Sequence, residues 1–124
     1  MKNAIEIKSL TKVYNNGVKA VNDISLNIPE KSFYAILGPN GAGKTTTIGI
    51  LTGLINPTSG NATVFNYDVI KEYRLSRKQI GLAPQELNFD VFFTIRQVLI
   101  LQAGYYGLNK KRATERTDFI LQQF

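Results

Sequence analysis

Gly38-Pro39-Asn40-Gly41-Ala42-Gly43-Lys44-Thr45-Thr46 constrains this chain more than any other stretch. Glycine at Gly38, Gly41 and Gly43 weakens a regular helix or strand and suits a backbone that curls through positive φ. A loop of that kind, running on through Pro39, Asn40 and Ala42, turns its N–H groups inward and forms an anion-binding nest. The run fits G-x-x-x-x-G-K-[ST], the phosphate-binding P-loop. In that motif Lys44 carries a point positive charge to the β- and γ-phosphates of a nucleotide. The Thr45 hydroxyl is suited to complete a Mg²⁺ shell, since Mg²⁺ takes oxygen ligands and bridges phosphates. A helix opening near Lys44, with Thr45 and Thr46 in its first turn, aims its positive end at the same phosphates.

The flanks match the motif. Phe33-Tyr34-Ala35-Ile36-Leu37 is a short apolar run and reads as a buried strand. Ile48, Leu51 and Ile55 follow at the spacing of one helical face, and Gly53 is a stop signal. Strand, glycine-rich loop and helix in that order distinguish a P-loop from a ligand-free glycine turn.

Composition bounds the remainder. The chain has 124 residues, 44% of them apolar, enough for one small domain with a core. It has neither cysteine nor histidine, which excludes a disulfide framework, thiol metal sites and His-dependent catalysis within these residues. Its net charge of +6 suits nucleic acid, a membrane surface or nucleotide phosphates equally well. Met1-Lys2-Asn3 leads into alternating residues rather than an apolar signal core, and no stretch of about 18 apolar residues occurs. A cytosolic location is expected.

Ala4–Lys8 alternates apolar and polar residues and reads as a half-exposed strand. Asn15-Asn16-Gly17 signals a tight turn. Val18–Ile28 predicts a second strand with Val21, Ile24, Leu26 and Ile28 inside, ended by Pro29. Tyr14, just before the turn, suits either stacking on an adenine ring or packing at a sheet edge. After the P-loop helix, Pro57-Thr58-Ser59-Gly60 reads as a turn and Asn61–Phe65 as a short strand. The charges of Lys71, Arg74, Arg77 and Lys78 read as a solvated helix face. Ile80–Gln85 predicts another buried strand. Gln85 at its end stands where an open α/β sheet places a metal or water-positioning group, although a loop glutamine without a role fits the residues better. Thr94 and Gln97 form a capping box, with Ile95, Val98 and Leu99 on one helical face. Asn109 can cap a last helix with Ala113, Thr117, Ile120, Leu121 and Phe124 along one side. That apolar face runs to the last residue, as though something that covers it were missing.

Tyr14, the Gly38–Thr46 loop, Gln85 and the Thr94 capping box, taken together, resemble the ATP-binding domain of ABC transporters. The resemblance spans the whole chain and the front part of that domain. It implies an α/β P-loop NTPase fold, with a RecA-like core, an N-terminal antiparallel β subdomain and the start of a helical subdomain. Residues 1–84 would be the β subdomain and core, 85–93 the Q-loop and 94–124 the helical start, all within one truncated domain. It further implies that Tyr14 stacks on adenine, and that Gln85 contacts Mg²⁺ and attacking water and senses a membrane partner. Val64-Phe65-Asn66-Tyr67-Asp68 and Gln102–Gly107 are most similar to the ABC-2 type group, mostly exporters.

The sequence departs from the family where the chemistry is completed. It has no Leu-Ser-Gly-Gly-Gln signature, no apolar run ending in Asp-Glu, and no switch histidine. The expectation is therefore an ATP- and Mg²⁺-binding half whose catalytic contributors are Lys44 and Gln85, inactive as an ATPase by itself. The resemblance implies two partners, a transmembrane permease and a second ATP-binding subunit, at the cytoplasmic face of a membrane. Nucleic acid is not expected, because the basic groups at 71–78 and 110–116 are not interleaved with stacking aromatics. The motifs of a GTPase or a lid-bearing kinase are absent too; a decayed gene product that keeps only a nucleotide-binding remnant is the other alternative. Without further strands beside it, the 33–37 strand would be an exposed edge that promotes self-association.

Overall fold

The computed structural model describes residues 2–84 and 91–124. They form two compact units, residues 1–82 and residues 83–124.

The first unit is built on β1 (Asn3–Val13), β2 (Lys19–Pro29), β3 (Ser59–Val64) and β4 (Tyr67–Asp68). The sheet is antiparallel throughout, in the order β2-β1-β3-β4. The Asn15-Asn16-Gly17 signal forms the β1–β2 turn. Tyr14 and Val18 pair across it, and the Asn16 side chain accepts from the Val18 N–H at 3.1 Å.

Two bulges explain why the apolar residues break strict alternation. Ile7 and Leu10 are both fully buried although three residues apart. Ser9 between them takes φ 46°, so one extra residue is inserted and the side chains return to the inner face. Asp23 does the same in β2 at φ 49°, carrying the chain from buried Val21 to half-buried Ile24. The Ser9 N–H is satisfied by the Ser25 hydroxyl at 2.8 Å and the Asp23 N–H by the Thr11 hydroxyl at 3.0 Å.

The expected turn over 57–60 is replaced by strand from Ser59 onward. Gly60 lies opposite the Ser9 bulge at φ 84°, where an added Cβ would stand 2.2 Å from the Ser9 carbonyl oxygen. The glycine therefore serves close backbone approach rather than chain reversal.

Helix α1 (Lys44–Leu51) packs Ile50 and Leu51 on this sheet, joining Ile7, Leu10, Val21, Ala62, Val64 and Val69 in one core. Each fully buried aliphatic side chain of this kind contributes about 1.5–3 kcal/mol. Ile48 lies off that face and is 41% exposed, contrary to the expected Ile48–Leu51–Ile55 stripe. Helix α2 (Tyr73–Lys78) keeps its charges at the surface, as expected, and Arg77 Nη2 donates to the Gly53 carbonyl at 2.6 Å.

Two expected strands do not form. Phe33–Leu37 has no regular structure, and all five residues are exposed. Residues 80–84 have none either, and 81–84 are exposed. A strand is defined by its neighbours' hydrogen bonds, and among the described residues neither segment has a strand beside it. Only Ile80 still packs against the core.

The second unit is a helix pair, α3 (Ile95–Tyr105) and α4 (Lys110–Gln123). The Thr94 capping box forms in full. The Thr94 hydroxyl accepts from the Gln97 N–H at 3.2 Å, and Gln97 Oε1 accepts from the Thr94 N–H at 2.8 Å. Asn109 caps α4 through the Arg112 N–H at 3.0 Å. Ala113 and Thr117 are buried, but Leu121, Phe124 and the expected core residue Ile95 are exposed.

Gly60→Ala is expected to lower the unfolding free energy by about 1–3 kcal/mol, from backbone strain at positive φ together with the clash at Ser9. Gly104→Ala, in α3 with nothing within 4 Å of the new Cβ, is expected to be neutral or to stabilise by up to about 1 kcal/mol. Urea unfolding followed by circular dichroism distinguishes the two signs.

Candidate functional site

The Gly38–Thr46 loop runs from the unpaired 33–37 segment into α1, all within the first unit. Gly41 and Gly43 both take φ 84°. Gly38 does not take positive φ, contrary to the reading of all three glycines alike. A Cβ there would stand 3.1 Å from the Ala42 Cβ, so closeness, not chirality, requires its small size. Gly43 is both left-handed and tightly packed: an added Cβ would meet the Ala20 carbonyl oxygen at 2.2 Å. Pro39 and Asn40 are exposed in the turn, which the Ala42 N–H closes onto the Pro39 carbonyl at 3.2 Å.

Helix α1 starts at Lys44, as the motif predicts, and no side chain caps it. Its first-turn N–H groups have no intrahelical acceptor, and its first turn holds no acidic residue. The Lys44 ammonium folds back over the loop and donates to the Gly38 carbonyl and, at 2.7 Å, to the Pro39 carbonyl. Positive charge, free amides and a positive helix end thus converge on one concave stretch of main chain. A phosphate chain fits that lining, since it offers acceptors only and carries the opposite charge.

Thr45 is exposed in the first turn, with its hydroxyl unpartnered among the described residues. This leaves its oxygen free for a cation held against phosphate. Among the described residues no group of three acidic side chains could hold a metal without such a phosphate. Thr46 is nearly buried, and its hydroxyl lies 3.3 Å from the Tyr14 hydroxyl. Thr47, which the sequence reading did not single out, donates to the Gly43 carbonyl at 2.9 Å and is buried.

Tyr14 therefore stands beside the loop rather than at a remote sheet edge. The residue is 37% exposed, and Lys12 Nζ lies 5.2 Å from the ring centroid. A cation at that distance attracts the ring face by about 0.5–1 kcal/mol at an exposed site. Lys12 was missed in the sequence, although its spacing of two from Tyr14 at a strand end puts both on one face. Gln85 lies outside the described residues.

The family model described as ABC transporter matches residues 21–124. The daunorubicin/doxorubicin resistance ATP-binding protein of Streptomyces peucetius is 40% identical over 121 residues, covering 98% of this chain and 36% of that protein. A phospholipid-transporting ATPase of Homo sapiens is 40% identical over 94% of this chain and 7% of its own length. An ATP-binding cassette solved as a dimer in a post-hydrolysis state with ADP and Pi superposes with a TM-score of 0.78 at 26% identity, covering 95% of this chain and 56% of that one. The chain thus spans about a third of the first relative and about half of the solved cassette.

Tyr14→Phe is expected to destabilise by about 1 kcal/mol, because the nearly buried Thr46 hydroxyl loses its partner. In a double-mutant cycle with Thr46→Val, the coupling should reach about 0.5 kcal/mol or more; additive losses would show the two hydroxyls to be independent.

Proposed function

Since this chain belongs to the ABC transporter family, we propose that it binds ATP at the Gly38–Thr46 loop and forms the nucleotide-gripping part of a transport ATPase. The observation that carries this reading is the uncapped start of α1 beside the folded-back Lys44 ammonium. The amides of the loop and first helical turn, with Lys44, hold the phosphates. Gly38, Gly41 and Gly43 let the main chain approach them, with Pro39, Asn40 and Ala42 forming the outer curve. Lys44 exchanges its two neutral carbonyl acceptors for anionic phosphate oxygens, so that both partners of the bond are charged. Thr45 supplies one oxygen to Mg²⁺, whose bound charge offsets that of the phosphates. Thr46 ties the loop to Tyr14, and Tyr14 offers its exposed ring to the base. Gln85 is assigned to the Mg²⁺ and water side of the site by resemblance alone.

In the whole protein we infer that ATP binding and hydrolysis drive transport, with export as the direction. Support comes from relatives whose names carry drug resistance and phospholipid transport. The partners we propose are a second ATP-binding subunit, supported by the dimeric cassette, and a transmembrane permease at the cytoplasmic face of a membrane. Among the described residues no helix is long and apolar enough to cross a bilayer, so the spanning segments would come from elsewhere.

Lys44→Ala removes a charge-assisted contact of about 1.5–3 kcal/mol, equivalent to about a 10- to 100-fold loss of affinity. Mg-ATP is expected to raise the melting temperature of the parent and to lose most of that effect in the variant. Equal protection of both proteins would refute phosphate binding at this loop.

A further inference from the structure

The far end of α1 is closed by a set of contacts that the nucleotide site does not use. Thr52 ends the helix, and Gly53 follows at φ 73°. The Gly53 N–H donates to the Ile50 carbonyl at 3.0 Å, and the Leu54 N–H to the Gly49 carbonyl at 2.8 Å. These two bonds make a Schellman ending with glycine in its left-handed position. The Gly53 carbonyl then accepts from Arg77 Nη2 of α2 at 2.6 Å.

Gly53 therefore serves a second purpose besides stopping the helix. A Cβ on it would stand 2.6 Å from Arg77 Nε and 2.8 Å from Nη2, so only glycine admits the guanidinium here. The guanidinium carbon also lies 5.2 Å from the centroid of the Tyr73 ring. The base from which Arg77 reaches is firm. Ser76 beside it is buried, and Ile80, just past α2, packs against the core.

We infer that Arg77 is a positioning residue for the phosphate-binding loop, acting through α1; the inference rests on the proposed nucleotide site at Gly38–Thr46. Helix α1 has eight residues and is about 12 Å long, so its two ends move as one short rod. Its start rests on Ala20 through Gly43, and Ile50 and Leu51 hold it in the core. Apolar contacts resist separation but are non-directional. The Arg77 bond is directional, so it limits how the rod turns about its axis and hence where the first-turn amides point. Its charge also stands at the negative end of the helix, whose positive end faces the loop. Loss of the bond lets α1 sample more orientations and weakens the phosphate grip, although Arg77 touches no part of that grip.

The test measures Mg-ATP binding by calorimetry, well below the melting temperature of each variant. Arg77→Met is expected to weaken binding by about 3-fold or more. Lys78→Met, the same charge lost one residue along α2, should bind as the parent does. A lowered melting temperature with unchanged affinity shows a merely structural role and overturns the inference, as does an equal loss of affinity in Lys78→Met. Should the methionine variant not fold, Arg77→Lys takes its place, with the charge kept and the planar fork lost. An affinity equal to the parent's then overturns the inference. Amide hydrogen exchange without nucleotide separates this inference from the ATP reading. In the same variant, exchange should quicken at Thr47, whose N–H bonds the Gly43 carbonyl at the loop end of α1. Quickening confined to Thr52–Leu54 makes Arg77 a local cap and overturns the inference. A parent that binds no Mg-ATP refutes the nucleotide reading instead, and exchange at Thr47 still decides whether Arg77 positions the loop.

Discussion

The contact between Gly43 and the Ala20 carbonyl fixes the start of α1 against β2. No side chain fits between them, since a Cβ on Gly43 would overlap that oxygen. The contact seats the start of α1 directly on β2, while Ile50 and Leu51 anchor the rest of the helix in the sheet core. The same helix start carries Lys44, whose ammonium reaches the Gly38 and Pro39 carbonyls, and Thr46, whose hydroxyl meets that of Tyr14. A rigid antiparallel sheet thus sets the aim of a loop that has no regular structure of its own.

How far the sequence disclosed this depended on the range of each interaction. The glycine-rich loop is made from consecutive residues, so its left-handed turns at Gly41 and Gly43 and the helix start at Lys44 could be read directly. The Thr94 and Asn109 caps were equally legible, because a cap spans only three residues. The strands expected at 33–37 and, among the described residues, at 80–84 do not form, for the opposite reason. Apolar composition records that a segment prefers burial, but a strand also needs a partner for its main chain, and a segment's own composition does not say whether one is present. The α1 stripe failed more subtly. Ile48 matches the helical period, but the sheet presses on the arc through Thr46, Thr47, Ile50 and Leu51, two of which are threonines that hydropathy alone passes over.

The bulges show a case in which irregular spacing was itself the signal. Val21 and Ile24 were assigned to one face despite a gap of three, and Asp23 at positive φ accounts for it. The same logic applies to Ile7 and Leu10 around Ser9. Gly60, read as the end of a turn, is better understood as the partner of that bulge: one strand gains a residue, and the facing strand gives up its side chain. Period-two patterns in β1 and β2 therefore conceal two local corrections, each secured by a hydroxyl from the neighbouring strand.

The proposed phosphate end and base end of the site differ in what holds them. The phosphate end belongs to the loop and α1 and is tied down by the core. The base end is Tyr14 at the edge of the β1–β2 turn, a half-exposed ring with Lys12 against it. The described bond between Tyr14 and the loop is a single hydroxyl pair at the long end of hydrogen-bond range. In the proposed reading, a grip on phosphates can therefore persist while the base contact fluctuates. Discrimination among nucleotides would then follow from the Tyr14 side, because phosphates are common to all of them. The turn itself is held by main-chain bonds between Tyr14, Gly17 and Val18, so it is the ring, tied to the loop by one hydroxyl, that is free to adjust.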